Sequence, residues 1–565
     1  MQRTNTTLLA LLLVFTACSK EPPRSAEPAP ASPPSPQAPA FAFEEVTAGS
    51  GLDFVHDSGA EGFRHYVETM APGVALFDAD GDGDLDLYVV DGGPLPGSRR
   101  TERPGNRLYL GAGDGTFELA AGSGAEDTGY GMGVTVGDAD GDGDEDLYVL
   151  NYGPNAFLRN QGGGRFEKVA VGAEDPSWSV SGAFLDGDGD GDLDLYVVNY
   201  LAYDVEKEKP CKAGTLEIYC SPEQYPPVPD HYFENLGGRF VDASDRMGVT
   251  AVGRGMGIGV GDFDGDGRPD VYVTNDRTHN FLYRNRDGRF EELAAESGVG
   301  YGPTGSTEGG MGVATGDFTG TGRAAIFLTN FQKEPNRLFV EAFEGFYDDK
   351  SLESGLGFPS SEMVGWGIGV EDFDGDGDLD LAIGNGHVFD NAEEFIPGSA
   401  FALPDQLYLN DGSGHFKVET FPGKAYSSRG LATGDVDGDG DPDLVITACG
   451  GPLRLWRNTT DSLRRFLLLR LEGKAPNTDA FGARLVARVA GKELRRQVVG
   501  GGSYASHSDS RIALGLGDAG RAEQLEVVWP DGSKETAENL EGGQLVVWRQ
   551  GEGVVHRQPL RGSGA

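Results

Sequence analysis

The chain is poor in bases. Its 565 residues carry 46 Lys+Arg against 90 Asp+Glu, a formal charge of −44, which sets its field against nucleic acid and anionic membrane surfaces as partners. Cysteine is scarce, at four residues, and the eight histidines are scattered, with His56 and His65 the closest pair and a surface role expected for both. No H-E-x-x-H, G-x-S-x-G or P-loop sequence occurs, so the corresponding metallopeptidase, hydrolase and nucleotide-binding sites are excluded. Gly515-Leu516-Gly517-Asp518-Ala519-Gly520 has the spacing of a dinucleotide fingerprint, but Arg521 to Trp529 reads as a strand where that fingerprint needs a helix. The apolar run Leu8 to Phe15 is too short to span a bilayer. What is abundant is glycine, at 89 residues without collagen's three-residue period, beside 38% hydrophobic and 10% aromatic residues. That composition builds a core and excludes disorder throughout.

Arg3 and the short apolar run read as a secretory signal over residues 1–17. Phe15-Thr16-Ala17-Cys18 resembles a bacterial lipobox, which implies acylation of Cys18 and anchoring at the cell envelope, with contact to the membrane only through that lipid. Residues 18–40 form a linker; its last twenty positions hold 8 Pro, 5 Ala and 3 Ser, a composition that favours extended polyproline. Cys211 and Cys220 lie in a Pro- and Tyr-rich insertion and are expected to form a disulfide in an exported protein. Zinc is the weaker reading there, because His231 is the sole nearby candidate for a third ligand. Cys449, in the apolar run Leu444 to Cys449, reads as a buried thiol.

One unit recurs between residues 41 and 462: a short apolar strand, the sequence Asp-x-Asp-x-Asp-Gly-x-x-Asp, and a second apolar strand. Copies start at Asp78, Asp138, Asp186, Asp262, Asp372 and Asp435, with a damaged copy at Asp317, at intervals averaging 59.5 residues. A third strand follows, as in Asn106 to Leu110, and a fourth begins at Phe117, Phe166, Phe240, Phe290, Phe346 or Phe416. Four strands per unit and this period predict an all-β, seven-bladed β-propeller. The last unit lacks a fourth strand, whereas Phe43 to Gly51 matches the fourth-strand segment Phe290 to Gly298. Strand 43–47 is therefore expected to complete the seventh blade and close the ring.

The acidic turn sets four carboxylates around a tight loop, at positions 1, 3, 5 and 9, while position 7 can add its carbonyl. Candidate metal ligands are Asp78, Asp80, Asp82, Asp84 and Asp86; Asp138, Asp140, Asp142, Asp144 and Asp146; Asp186, Asp188, Asp190, Asp192 and Asp194; Asp262, Asp264, Asp266, Arg268 and Asp270; Asp372, Asp374, Asp376, Asp378 and Asp380; and Asp435, Asp437, Asp439, Asp441 and Asp443. Hard oxygen donors in this number suit Ca2+ better than Mg2+, and about six ions are expected. Apolar residues such as Val89 and Val149 stand where an EF-hand carries its final Glu, and the flanks are strands. The damaged copy keeps Asp317 and places Thr319, Thr321 and Ala325 at the other carboxylate positions, so it reads as metal-free, with Arg323 as a local counter-charge.

These units resemble FG-GAP/VCBS repeats of integrin-α-like propellers. The resemblance implies calcium between the first two strands of each blade and all seven loops on one face. The opposite face receives Asp91, Asn151, Asn199, Asn275, Asn330 and Asn385-Gly386-His387 at the ends of the second strands, either as a ligand surface or as turn residues. Arg254, Arg429, Met132, Met256, Met311 and Trp366 enter the first strands from that side and read as packing.

From residue 463 the acidic motif stops and the net charge becomes +3, against −47 for residues 1–462. Alternating strands at Phe466 to Leu471, Leu485 to Val489, Leu525 to Trp529 and Leu545 to Trp548 predict a small all-β domain over 463–550, with 551–565 as a tail. Asn477 to Arg484, Gly501-Gly502-Ser503-Tyr504-Ala505-Ser506-His507-Ser508, Leu514 to Gly517 and Val528 to Gly532 resemble the ASPIC/UnbV domain. With the propeller, the likeness to the cartilage acidic protein family spans residues 42–550 and implies an extracellular calcium-binding protein without assigning an activity. The expected role is non-enzymatic: a surface-anchored module that binds a protein or glycan. The alternative is a calcium-dependent, lyase-like polysaccharide-processing enzyme. A deep cleft with convergent Lys, Arg, His and Tyr marks the enzyme; an axial face of Asn, Asp and aromatics marks the binder.

Overall fold

The computed structural model describes residues 43–103, 105–460 and 466–561. The signal, the linker and Cys18 lie outside them. Among the described residues no helix is long and apolar enough to cross a membrane.

Seven antiparallel four-stranded sheets form the blades, each starting at the axis and ending at the rim. The innermost strands are Val74–Phe77, Tyr130–Gly137, Ser179–Leu185, Gly255–Gly261, Gly310–Gly316, Gly365–Glu371 and Ser428–Gly434. Each packs on the next, and the seventh returns to the first, so the ring is closed. The second strands, such as Asp86–Val89 and Asp146–Tyr152, are apolar on both faces and buried between neighbouring blades.

The seventh blade is completed by Phe43–Glu45, which pairs antiparallel with Arg454–Asn458 in the register Phe43 to Asn458 and Glu45 to Trp456. The Phe43 ring packs edge-on against Phe373 at 5.7 Å and near Phe421 at 5.3 Å, which ties the closing strand to the sixth blade as well. Blade 3 carries the insertion between its second and third strands, where Cys211 and Cys220 are bonded across a two-stranded ribbon.

The C-terminal region forms two facing four-stranded sheets, ordered 512–515, 466–472, 544–549, 553–559 and 492–497, 484–489, 521–528, 534–541. Leu467, Leu469, Leu485, Leu525, Trp529 and Trp548 fill the space between them. Four of these strands escape a reading based on apolar alternation, because Lys492–Gln497 and Lys534–Glu541 are mostly polar, Ile512–Gly515 is short, and Gly553–Pro559 is an edge strand. The last corrects the expected tail: residues 553–559 pair with 544–549, and the Arg561 amide then donates to Gly438 O at 2.6 Å on the seventh blade. At the fingerprint-like glycines, a short turn, Gly517–Ala519, leads directly into strand Arg521–Val528, so no phosphate-binding helix exists there.

Between strands 492–497 and 512–515 the chain leaves its own domain and enters the propeller. Phe184 N donates to Gly500 O at 3.2 Å, Ser503 N to Val313 O at 2.7 Å, Val134 N to Ala505 O at 3.1 Å and His507 N to Val74 O at 2.9 Å. Ser503 Oγ accepts from Ile368 N at 2.8 Å and donates to Leu431 O at 3.2 Å. One loop thus bonds the innermost strands of six blades and fills the axial channel. The repeated Gly-x-Gly of the innermost strands belongs to this fit: a Cβ on Gly133 would crowd the Ala505 carbonyl, and one on Gly257 the Ser503 carbonyl. At the tip, Tyr504 is fully buried against Trp366, ring centroids 4.9 Å apart, and its hydroxyl donates to Met70 O at 3.0 Å.

Candidate metal centres and the two ends of the propeller

All acidic loops lie at the end facing the C-terminal domain, because each joins the first strand of a blade to the second. Their folding is local. The position-1 carboxylate accepts from the amides of the glycines at positions 4 and 6: Asp78 from Gly81 at 2.9 Å and Gly83 at 3.1 Å, Asp262 from Gly265 at 2.7 Å and Gly267 at 3.0 Å. Gly81 and Gly83 have φ of 78° and 94°, a region open to glycine and strained for other residues. The position-9 carboxylate is buried and ties the turn to the blade, as when Asp86 accepts from Ala79 N and Gly111 N, both at 2.8 Å.

This scaffold brings three carboxylates together, at positions 1, 3 and 9, where four were expected: the position-5 carboxylate accepts from the position-7 amide, as in Asp82 from Asp84 N and Asp266 from Arg268 N, both at 2.9 Å. Oxygens of Asp78, Asp80 and Asp86 lie within 4.8 Å of one another, as do those of Asp138, Asp140 and Asp146; Asp186, Asp188 and Asp194; Asp262, Asp264 and Asp270; and Asp372, Asp374 and Asp380. Asp435 and Asp443 make the same turn and blade contacts. Three of the side chains at position 7 point elsewhere: Asp378 to Lys492 at 2.7 Å, Asp84 to Arg561 at 3.7 Å, Arg268 to Asp287 at 3.3 Å. In those loops position 7 can serve through its backbone oxygen alone.

The electrostatics show what the loops need. Burial, reinforced by neighbouring loop carboxylates, pushes Asp86 up to about 7, Asp146 and Asp194 to about 8 and Asp441 to about 11. Asp140, Asp192 and Asp441 each retain a buried carboxylate oxygen with no donor. Crowded, desolvated carboxylates with open oxygens fit a hard divalent cation, and an all-oxygen set of this size fits Ca2+. The fifth blade differs as its sequence requires: Asp317 accepts from Thr321 N and Gly322 N, Thr319 and Thr321 hydroxyls bond each other at 3.0 Å, and Arg323 turns outward to Glu341.

The C-terminal domain sits on this end. Arg470 reaches Asp78 at 3.2 Å, Asp479 accepts from Asp138 N at 2.7 Å, Arg484 reaches Asp262 at 2.5 Å, and Arg511 donates to Asp435 O at 3.4 Å. A domain with an excess of bases is thereby seated on the acidic loops, an arrangement that the charge reversal at residue 463 could have signalled.

The opposite end is built otherwise than expected. Asp91, Asn151, Asn199, Asn275, Asn330 and Asn385 are buried, and so is His387. Their amides donate to a side chain that opens the third strand: Asp91 N to Asn106, Asn151 N to Asn155, Asn275 N to Asn280, each at 2.8 Å. They are blade clamps and form no open ligand surface. Met132, Met256, Met311 and Trp366 pack around Tyr504, and Arg429 is buried under Trp366, its guanidinium 4.0 Å from the ring and donating to Thr69 O at 2.7 Å. Arg254 donates to Tyr225 O at 3.1 Å. His56, expected at the surface, is buried and accepts from Gly450 N at 3.1 Å, because the segment before blade 1 folds back across this end. His65 is partly buried beside Glu208 at 3.4 Å. His231 hydrogen-bonds Asp175 at 2.6 Å and has no role with the cysteines.

This end is built of aromatic and acidic side chains, of which Tyr152, Tyr203 and Tyr225 are partly exposed. Tyr66, Tyr152, Trp178, Tyr200, Tyr203 and Tyr225 pack into one cluster. Glu208 accepts from Tyr66 N at 2.9 Å and Tyr225 Oη at 2.5 Å, and Tyr200 Oη donates to Asp276 at 2.6 Å. Glu68, bonded by Tyr219 at 2.9 Å, is pushed up to about 7 by burial. The strand period predicts none of this, since the cluster joins the segment before blade 1, the end of a blade 2 strand and the blade 3 insertion, with Tyr66 and Tyr200 134 residues apart.

Comparison with known proteins agrees with this architecture. Residues 78–149, 138–197, 214–273, 262–328 and 372–446 match the FG-GAP-like repeat, covering more than half the chain, and residues 473–555 match ASPIC and UnbV. Cartilage acidic protein 1 of Homo sapiens is 28% identical over 293 residues, 49% of this chain and 40% of the relative; that of Mus musculus is 29% identical over 308 residues, 52% and 44%. The chain therefore spans less than half the length of these relatives. A solved Agrocybe aegerita lectin that recognises non-reducing terminal N-acetylglucosamine overlaps at a TM-score of 0.38 and 15% identity, covering 68% of this chain and 87% of that one, an overlap too low to add to the assignment. The chain belongs to the FG-GAP-like repeat family and carries an ASPIC and UnbV domain at its C-terminal end.

Proposed function

We propose that the protein is a calcium-stabilised binding module, exported and held at the cell envelope through Cys18, that presents the aromatic and acidic end of its propeller to a glycan or protein. The observation that carries this reading is the difference between the two ends. The end with the acidic loops is covered by the C-terminal domain, and its carboxylates are committed to the turns and to the ions they would hold. The other end exposes part of Tyr152, Tyr203 and Tyr225 beside Glu208 and His65. Aromatic rings whose hydroxyls are fixed by the buried Glu208 carboxylate suit the apolar faces of sugars or a polar protein loop. Arg254 and Arg429 at this end donate to backbone carbonyls and Arg64 pairs with Asp390, which favours binding over lyase-like chemistry. The disulfide in the same insertion suits an oxidising compartment.

In this reading six calcium ions are structural, held by positions 1, 3 and 9 with backbone oxygens, and the fifth blade holds none. A glycan array and an envelope-surface pull-down with the calcium-loaded mature chain test the proposal. Selective capture that falls in Y203A and Y225A supports it. Capture unchanged in both variants, or turnover of a polysaccharide, contradicts it.

A further inference from the structure

The acidic loop of the fourth blade is set apart by its bases. Each of its three convergent carboxylates carries a guanidinium: Arg484 Nη1 lies 2.5 Å from Asp262, Arg286 Nη1 2.8 Å from Asp264 and Arg284 Nη1 2.8 Å from Asp270. A fourth arginine, Arg268, stands at position 7, where the other five acidic loops carry Asp84, Asp144, Asp192, Asp378 and Asp441, and it pairs with Asp266 at position 5 and with Asp287 at 3.3 Å. Four loop carboxylates thus meet four guanidiniums. Among the described residues, no other acidic loop has a base at ion-pair distance from more than one of its three convergent carboxylates: Arg470 reaches Asp78 at 3.2 Å, Arg159 reaches Asp140 at 3.1 Å, Arg246 reaches Asp188 at 3.7 Å and Arg457 reaches Asp437 at 3.8 Å. The arginines of the fourth blade also come from separate elements. Arg284, in strand Phe281–Asn285, is buried and donates a second bond to Tyr347 Oη of the fifth blade at 3.0 Å. Arg286 lies in the turn after that strand, and Arg484 opens strand Arg484–Val489 of the C-terminal domain.

A divalent cation entering this loop meets carboxylates that are already paired and guanidiniums that repel it. In the third blade the same cation meets five carboxylates, of which only Asp188 has a base at ion-pair distance among the described residues, and that base, Arg246, is shared with Glu234 at 2.6 Å. There the cation relieves repulsion. We propose, resting on the calcium reading above, that the fourth-blade loop takes its calcium last and releases it first, and that Arg484 couples this exchange to the C-terminal domain. The coupling is reciprocal: the affinity that docked Arg484 removes from the ion is removed by the ion from the domain's seat on blade 4. The fourth blade is then the calcium-responsive contact of the domain, while the other loops stay filled.

The test counts calcium bound to the mature chain by equilibrium dialysis as free calcium is lowered in steps with a chelator buffer. One ion is expected to leave at a free concentration roughly tenfold or more above that of the other five. D264N is expected to abolish that early step and keep the five tight ions, whereas D188N removes one tight ion and keeps the step. R286Q, on the propeller, and R484Q, on the C-terminal domain, are each expected to tighten the weak ion by about three- to tenfold, since both pairs are part-exposed and screened. Six ions that leave together, or an early step that survives D264N, overturn the proposal and leave the calcium reading standing. A weak ion unmoved by R484Q overturns the coupling to the domain, and a chain that binds no calcium overturns both readings.

Discussion

Tyr504 belongs by sequence to the C-terminal domain, yet its ring is buried at the propeller axis against Trp366. Removing it leaves a cavity where six blades converge, so Y504A is expected to lower stability by about 3–5 kcal/mol in chemical denaturation, whereas Y504F, which loses only the bond to Met70 O, costs about 1 kcal/mol. His231 gives a pH-dependent contribution. Its bond to Asp175 raises the imidazole above its ordinary value, while Asp175 is held down at about 2. A raised histidine stabilises the fold fully below its unfolded value near 6.5 and loses that contribution as pH rises through the folded value. The stability difference between wild type and H231Q is therefore expected to be larger at pH 6 than at pH 9. Neither pairing was legible in the sequence, since His231 and Asp175 are separated by 56 residues and Tyr504 meets partners hundreds of residues away.

The acidic loop is the element that the sequence describes most completely. Its carboxylates, its glycines and its turn lie within nine consecutive residues, so spacing alone specifies the turn and the meeting of positions 1, 3 and 9, though not that position 5 caps the position-7 amide. What spacing could not specify was the direction of the position-7 side chains, which depends on Lys492 and Arg561 of another domain. The polar ends of the second strands were legible as positions but not as roles: their partners, such as Asn106 for Asp91, sit at the start of a different strand. The loop is transferable in principle. D86N is expected to remove one bound calcium, counted by elemental analysis, and T319D/T321D/A325D in the fifth blade to add one. An unchanged count in D86N would show that the buried position-9 carboxylate is not a ligand.

At the scale of the molecule, ring closure was legible because the orphan fourth strand and its missing counterpart are both local patterns. The covering of the acidic end was not, although the charge reversal at residue 463 carries its signature. Deleting residues 43–47 exposes the edge of strand 454–458, an unpaired row of amides and carbonyls, so the truncated chain is expected to melt earlier and to associate on size exclusion. The formal −44 is best understood as in large part an inventory of loop carboxylates, the position-9 member of each loop buried and the set mutually repelling without a cation.

In the function proposed above, six calcium ions hold these loops and, through them, the seat of the C-terminal domain. The most direct measurement is bound calcium per chain by elemental analysis, paired with the melting temperature before and after excess chelator. Six ions per chain and a large fall in melting temperature on their removal are the predicted result. A chain that retains no calcium after dialysis against millimolar calcium, or whose melting curve is unchanged in chelator, would contradict it.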